Sequence, residues 1–182
     1  MKILVASDIH GDASKAKELL AIYKSKACEK LILLGDILYH GPRNDLPRGY
    51  APKEVIELLN NFEDEIVAVR GNCDAEVDQM VLTFPIMADY LIEEIDGVKF
   101  FITHGHRFNT ENPPHLDCGD VLLHGHTHVP AVIPFANKNL YLNPGSTSIP
   151  KEGNPPSYAI IENGEFTVYS FSGNLLLTKR FI

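Results

Sequence analysis

The chain has 182 residues, 45% hydrophobic and 22% charged, enough to bury a sizeable core as a single domain over residues 1–182. Its formal net charge of −8 argues against a nucleic-acid binder held by a basic surface, because such binding needs Lys and Arg to neutralise phosphates. A phosphate-containing small substrate is not excluded, because bound metal ions can supply local positive charge.

Cys28, Cys73 and Cys118 stand far apart and suggest no disulfide framework, so a reducing compartment is expected. The opening apolar run of MKILVASDIHGD is too short for a signal peptide or a membrane span, and the chain reads as cytoplasmic with no membrane association.

Ile3 to Ala6 form an apolar run that suits a buried strand. Asp12 then stands as N-cap before a helix in which Ala16, Leu19, Leu20 and Tyr23 fall at helical spacing. Leu31 to Leu34 read as a second strand ending in Gly35-Asp36. A loop rich in Gly and Pro runs from Tyr39 to Pro52, and Pro52 opens a helix carrying Val55, Ile56, Leu58 and Leu59. Ile66 to Val69 form a third strand. Strand–helix–strand–helix–strand is the mark of an α/β unit.

Beyond residue 70 the pattern changes. Tyr90 to Ile95 and Val98 to Thr103 flank Asp96-Gly97, a hairpin signal. Short strands follow at Val121 to Leu123, Leu140 to Leu142, Tyr158 to Ile161, Phe166 to Phe171 and Leu175 to Lys179. The expected architecture is α/β: two mixed β-sheets packed face to face with helices outside, a four-layer α-β-β-α sandwich.

Polar donors gather where strands end, which is where α/β sheets place ligands. Asp8 and His10 follow the first strand, Asp36 the second and Asn72 the third. His104 follows the hairpin strand, and His126 and His128 follow Val121 to Leu123. Seven N- and O-donors at five strand ends exceed the needs of a core. Carboxylate, amide oxygen and imidazole suit Mn²⁺, Fe or Zn²⁺. Two ions sharing one carboxylate would clamp a phosphoryl group and activate a water, and Asp36 is the natural shared ligand.

The order Asp8-Ile9-His10, Gly35-Asp36, Gly71-Asn72, His104 and Gly125-His126-Thr127-His128 resembles the calcineurin-like metallophosphoesterase superfamily. The GPRNDLPRGYAP loop, the GNCD block and NPGSTSIPKEGNPPSY resemble its small bacterial phosphodiesterases of the YfcE type. The resemblance implies a metallo-dependent phosphatase-like fold and two divalent ions, Mn first, with Fe, Zn or Ni as the other candidates. It places Asp8, His10, Asp36 and His128 on one ion and Asp36, Asn72, His104 and His126 on the other. A bridging water or hydroxide is then the nucleophile, and Asp36, Asn72, Cys73 and His104 are the catalytic set.

Cys73 stands where most of the superfamily has a histidine. A thiol is a poor replacement for it at neutral pH, so the expected substrate is a small phosphodiester rather than a monoester of a simple alcohol. The plainer reading of Cys73 is a small buried filler. Three functions stay open at this point: a phosphodiesterase, a phosphomonoesterase or phosphoprotein phosphatase on the same site, and a non-catalytic scaffold like the superfamily's retromer subunit. A homo-oligomer is compatible with the sequence.

Several further residues carry two readings each. His40, Arg43 and Asn44 either reach the site or belong to an ordinary loop. His106 either contacts phosphate or faces solvent, and His124 packs near the sheet edge or binds metal. Arg70 orients its loop through a salt bridge or binds substrate. Asn143 supports a ligand histidine or begins a turn.

Overall fold

The computed structural model describes residues 1–136 and 138–182. Its first sheet comes largely from the α/β unit. β1 (Ile3–Ala6), β2 (Lys30–Leu33) and β3 (Ile66–Ala68) run parallel, and β1 pairs on its other side, antiparallel, with a strand from near the end of the chain. The helices α1 (Ala13–Ser25) and α2 (Pro52–Asn60) form the crossovers, and a short α3 (Glu76–Gln79) follows β3.

The second sheet holds β4 (Tyr90–Ile95), β5 (Val98–Thr103), β6 (Val121–Leu123), β7 (Ala131–Phe135) and β8 (Asn139–Asn143), in the order β4-β5-β6-β8-β7. β9 (Ser157–Glu162), β10 (Glu165–Ser170) and β11 (Leu175–Arg180) return to complete the first sheet, whose order is β11-β10-β9-β1-β2-β3.

Alternation along the strands assigns the layers. Leu4, Ala6, Leu31, Leu33 and Ala68 pack against Leu19, Leu20, Tyr23, Val55 and Leu59 of the two helices. Their neighbours Ile3, Val5 and Ile32 point the other way, into a core shared with Phe100, Ile102, Val121, Leu123 and Leu142 of the second sheet. α1 starts where Asp12 accepts the Lys15 N–H at 3.0 Å, the capping bond expected from the sequence.

The two sheets differ in their outer cover. Both long helices lie on the first sheet. The outer face of the second is covered instead by the segment from residue 105 to 120, whose Phe108 packs edge-on against Phe101 and Tyr90 at ring separations of 5.4 and 5.9 Å. Among the described residues no helix is long and apolar enough to cross a membrane.

One strand and one helix go beyond the sequence expectation. β7 carries Pro134, which signals against a strand, but β7 is the outermost strand of its sheet, where a missing N–H costs nothing. α3 has only four residues, too few to show a period.

Candidate metal centre

The carboxyl ends of β1, β2, β3, β5 and β6 deliver the seven candidate ligands to one edge of the sandwich. The turns after the first two strands are knitted by main-chain bonds: the Asp8 N–H donates to Gly35 O at 3.2 Å, His10 N–H to Asp36 O at 2.9 Å and Gly11 N–H to Ile37 O at 2.9 Å. Asp8, His10, Asp36, His126 and His128 all hold positive φ, between 49° and 65°. Non-glycine residues rarely adopt that region, and its use at five of the seven positions concentrates backbone strain at this edge. Gly71 is a matter of space: a Cβ there would fall on the Asp36 backbone nitrogen, so only glycine lets the β3 turn pass the Asp36 turn.

The side chains form two groups. In the first, His128 Nε2 lies 3.2 Å and His10 Nε2 3.6 Å from Asp8 Oδ1, and the two Nε2 atoms are 3.4 Å apart. In the second, His104 Nε2 lies 3.4 Å from Asp36 Oδ2, 3.0 Å from Asn72 Oδ1 and 3.1 Å from His126 Nδ1. Asp36 Oδ2 is also 3.7 Å from His10 Nε2, so one oxygen faces both groups. Its Oδ1 is occupied, accepting the Cys73 N–H at 2.8 Å.

Three imidazoles are fixed by the nitrogen they do not present. Nδ1 of His10 lies 2.7 Å from Tyr39 O, that of His104 2.6 Å from Leu34 O and that of His128 2.5 Å from Ile149 O. A backbone carbonyl accepts only from N–H, so Nδ1 carries a proton and Nε2 is the atom that offers a lone pair when the ring is neutral.

Asp8 tests whether this arrangement fits a cation. Its Oδ2 accepts the Ser7 hydroxyl at 2.6 Å and the His126 N–H at 3.1 Å, while Oδ1 is fully buried without a hydrogen bond. A buried carboxylate oxygen left bare is costly unless a cation takes it. Five of the seven spacings, from 3.0 to 3.4 Å, agree with that, and the two from His10 Nε2 to Asp8 and Asp36, at 3.6 and 3.7 Å, are slightly longer. Ions bonded at ~2.1 Å set their ligands about 3.0 to 3.4 Å apart.

The electrostatics point the same way. Burial raises Asp8 and Asp36, but contacts with His10, His128 and His104 outweigh it and hold both carboxyls below their usual range. Burial would lower His104, yet Asp36 and the Asp8 charge raise it to about 9. Burial and the neighbouring His104 push His126 down to about 4. Cys73 lines the cleft between Asn72 and the 39–52 loop, with its thiol pushed up to about 12 by burial and by Asp36.

Other candidates fall outside the two groups. His40 packs edge-on between Tyr39 and Tyr50. His124 stacks on Tyr141 at 4.2 Å and is held at about 4 by burial. The His106 ring lies 5.4 Å from that of His104. Arg70 donates to Asp74 O at 3.2 Å and faces Glu76 at 3.6 Å, which orients its own loop. Arg43 and Asn44 do line the cleft.

Three supporting residues went unread in the sequence. Asp74 accepts the N–H groups of Asp36 (2.8 Å), Ile37 (2.9 Å) and Gly71 (2.7 Å), so one carboxylate ties the β2 turn to the β3 turn. Its signal was its place inside the GNCD block. Ser146 and Ser148 donate to Asp8 O at 3.1 and 3.0 Å. Asn143 donates to Gly125 O at 2.9 Å and Thr127 Oγ1 at 3.0 Å, steadying the loop that carries His126 and His128.

Two face-to-face mixed sheets with carboxylate, amide and imidazole donors at their shared edge define a metallophosphoesterase. The chain belongs to the calcineurin-like phosphoesterase superfamily, whose domain model matches residues 1–165. Phosphodiesterase YfcE of Escherichia coli K12 is 45% identical over 98% of this chain and 97% of its own. Phosphodiesterase MJ0936 of Methanocaldococcus jannaschii is 30% identical over 84% of this chain and 91% of its own. The solved structure of the Escherichia coli YfcE phosphoesterase is similar over the whole of both chains, with a TM-score of 0.97 at 43% identity.

Proposed function

We propose that this chain is a metal-dependent phosphodiesterase, a phosphoric diester hydrolase that acts on a small diester with two divalent ions, Mn²⁺ first. Asp8, His10, Asp36 and His128 hold one ion. Asp36, Asn72, His104 and His126 hold the other, and Asp36 is shared. The observation that carries this reading is the pair of aimed carboxylate oxygens: the bare Asp8 Oδ1 and the Asp36 Oδ2 that faces both histidine groups. The diester preference draws on the two named phosphodiesterase relatives. The three free thiols suit a cytoplasmic protein.

Divalent ions held by these residues would supply positive charge to polarise the phosphate and to activate a water for in-line attack on phosphorus. The chain's own contribution is placement. Asp36 and Asp8 set the charge, the Nδ1–H contacts of His10, His104 and His128 lock the rings, and Asn72 offers an amide oxygen at the cleft mouth. Cys73 stays a thiol at neutral pH, because burial and Asp36 raise it to about 12. It therefore neither attacks nor readily donates a proton to a departing alkoxide. Diesters with good leaving groups are favoured over monoesters of simple alcohols.

The test is hydrolysis of bis-p-nitrophenyl phosphate by metal-stripped protein as Mn²⁺ is restored. Turnover should rise with Mn²⁺ and saturate as two ions bind per chain, with p-nitrophenyl phosphate hydrolysed poorly. Cys73→His should raise the monoester rate by about a hundredfold, the low end of what a positioned general acid supplies. Protein that takes up Mn²⁺ and cleaves neither ester would sink the hydrolase reading in favour of the scaffold.

A further inference from the structure

The metal cleft, about 460 Å³, adjoins a larger recess of about 610 Å³. The two share Arg43 and Asn44. The recess is walled by three cations: Lys15 from the first turn of α1, and Arg43 and Arg48 from the loop between β2 and α2. Lys15 is paired with Glu18 at 2.7 Å, as Lys99 is with Asp117 and Arg107 with Asp89, whereas Lys17, Lys53, Lys179 and Arg180 stand unpaired among the described residues but scattered over the surface. Arg43 and Arg48 form no ion pair and no side-chain hydrogen bond among the described residues, in a chain where acids outnumber bases 24 to 16.

Two carboxylates share the wall. Oδ1 of Asp12 accepts the Ser14 hydroxyl and the Lys15 N–H as the cap of α1, and Asp45 is exposed, so both carboxylates offset part of the cationic charge and Arg43 and Arg48 are the groups left to grip an anion. Past Cys73, which also lines the metal cleft, the surface turns apolar, with Tyr39, Tyr50, Ile56, Val77 and Val81. A substrate lying across the cleft thus meets cations on one side and hydrocarbon on the other.

We propose that the recess is a subsite for a second phosphate, so that the preferred substrates are phosphodiesters with a further phosphate group on one arm, gripped by Arg43 and Arg48. This rests on the phosphodiesterase reading and names its substrate class. A guanidinium presents a planar fork of donors that matches phosphate oxygens two at a time. A chain of net charge −8 repels a polyanion overall, so a local cluster of unpaired arginines is what admits one.

The test uses Mn²⁺-loaded protein and two chromogenic esters that differ by one phosphate: thymidine 5′-(p-nitrophenyl phosphate) with and without a 3′-phosphate. Arg48 lies in the recess and outside the metal cleft, so Arg48→Ala and Arg48→Gln are the informative variants. The wild-type protein should favour the 3′-phosphorylated ester by about tenfold in kcat/KM, carried by KM, the size of one charge-assisted contact. Both variants should erase that preference while leaving bis-p-nitrophenyl phosphate kinetics unchanged, and added salt should shrink it in the wild type.

Calorimetric binding of thymidine 3′,5′-bisphosphate against thymidine 5′-phosphate gives a second readout that does not depend on turnover. Diesters cleaved without preference, and nucleotides bound equally, would overturn the subsite and leave the phosphodiesterase standing. No cleavage of any ester, with tighter Arg48-dependent binding of the bisphosphate, would overturn the phosphodiesterase and keep the subsite.

Discussion

The two sheets contribute unequally to the metal centre. Both carboxylates, Asp8 and Asp36, come from turns of the first sheet, which are tied to each other by main-chain bonds, while Asp74 ties the Asp36 turn to the β3 turn. Three of the four imidazoles, His104, His126 and His128, come from the second, where the loop bearing the last two is held by the Asn143 side chain, by Asp8 Oδ2 on the His126 N–H and by the Lys151 N–H on His128 O. One half sets the charge and the spacing and is braced by its backbone. The other supplies most of the imidazoles, on a loop held largely by side-chain contacts. Damage to the first half should therefore remove the chemistry, and damage to the second should weaken metal affinity.

Four measurements break or sharpen that contrast. Asp36→Asn has the largest expected effect, a fall of about a thousandfold in Mn²⁺-dependent diester kcat, comparable to deleting a principal electrostatic contact. It removes the charge that faces both groups. Metal analysis should show fewer than two ions retained, and a variant of near-normal rate would dissolve the asymmetry.

Asp74→Ala comes next. It strips the acceptor from three buried N–H groups, at a cost of about 3 kcal/mol read as a lower Tm. The drift of Asn72 relative to Asp36 should lower kcat by about a hundredfold, as small misplacements do.

The third concerns protons. His104 is raised from 6.5 to about 9 in the metal-free fold, because Asp36 and Asp8 outweigh burial. A raised histidine gives stability that is fully present below its unfolded pKa and is lost as pH climbs through the folded one. The Tm of the metal-free protein should lose this contribution between pH 6.5 and about 9. A ligand must be neutral, so Mn²⁺ affinity should rise by up to about tenfold per pH unit over the same window, with proton release seen by calorimetry in two buffers. A flat affinity profile would show that His104 is already neutral. The smallest effect belongs to Asn143→Ala: Mn²⁺ binding weakened by about tenfold while saturated kcat stays close to normal.

The sequence showed the candidate ligands more clearly than what holds them. Asp8, His10, Asp36, Asn72, His104, His126 and His128 were visible because each follows an apolar run short enough to be a buried strand. The parallel strands were legible for the same reason. Asp74, Ser146 and Ser148 were not, since a polar residue in a turn looks the same whether it accepts three N–H groups or faces water. β7 hid behind Pro134, which only the strand order makes harmless. The outer cover of the second sheet was equally silent, because residues 105 to 120 have no period to read.

The five ligand residues at positive φ have a consequence for the life of the protein in a cell. Each such backbone costs on the order of 1 kcal/mol. Without metal only the turns' own hydrogen bonds, such as Asp8 N–H to Gly35 O and His10 N–H to Asp36 O, offset that cost, so these turns hold less reserve against local opening. Bound ions close them by mass action. Starvation for metal would then show as lower abundance of the enzyme as well as lower activity, with the earliest proteolytic cuts near Asp8 to His10 and His126 to His128.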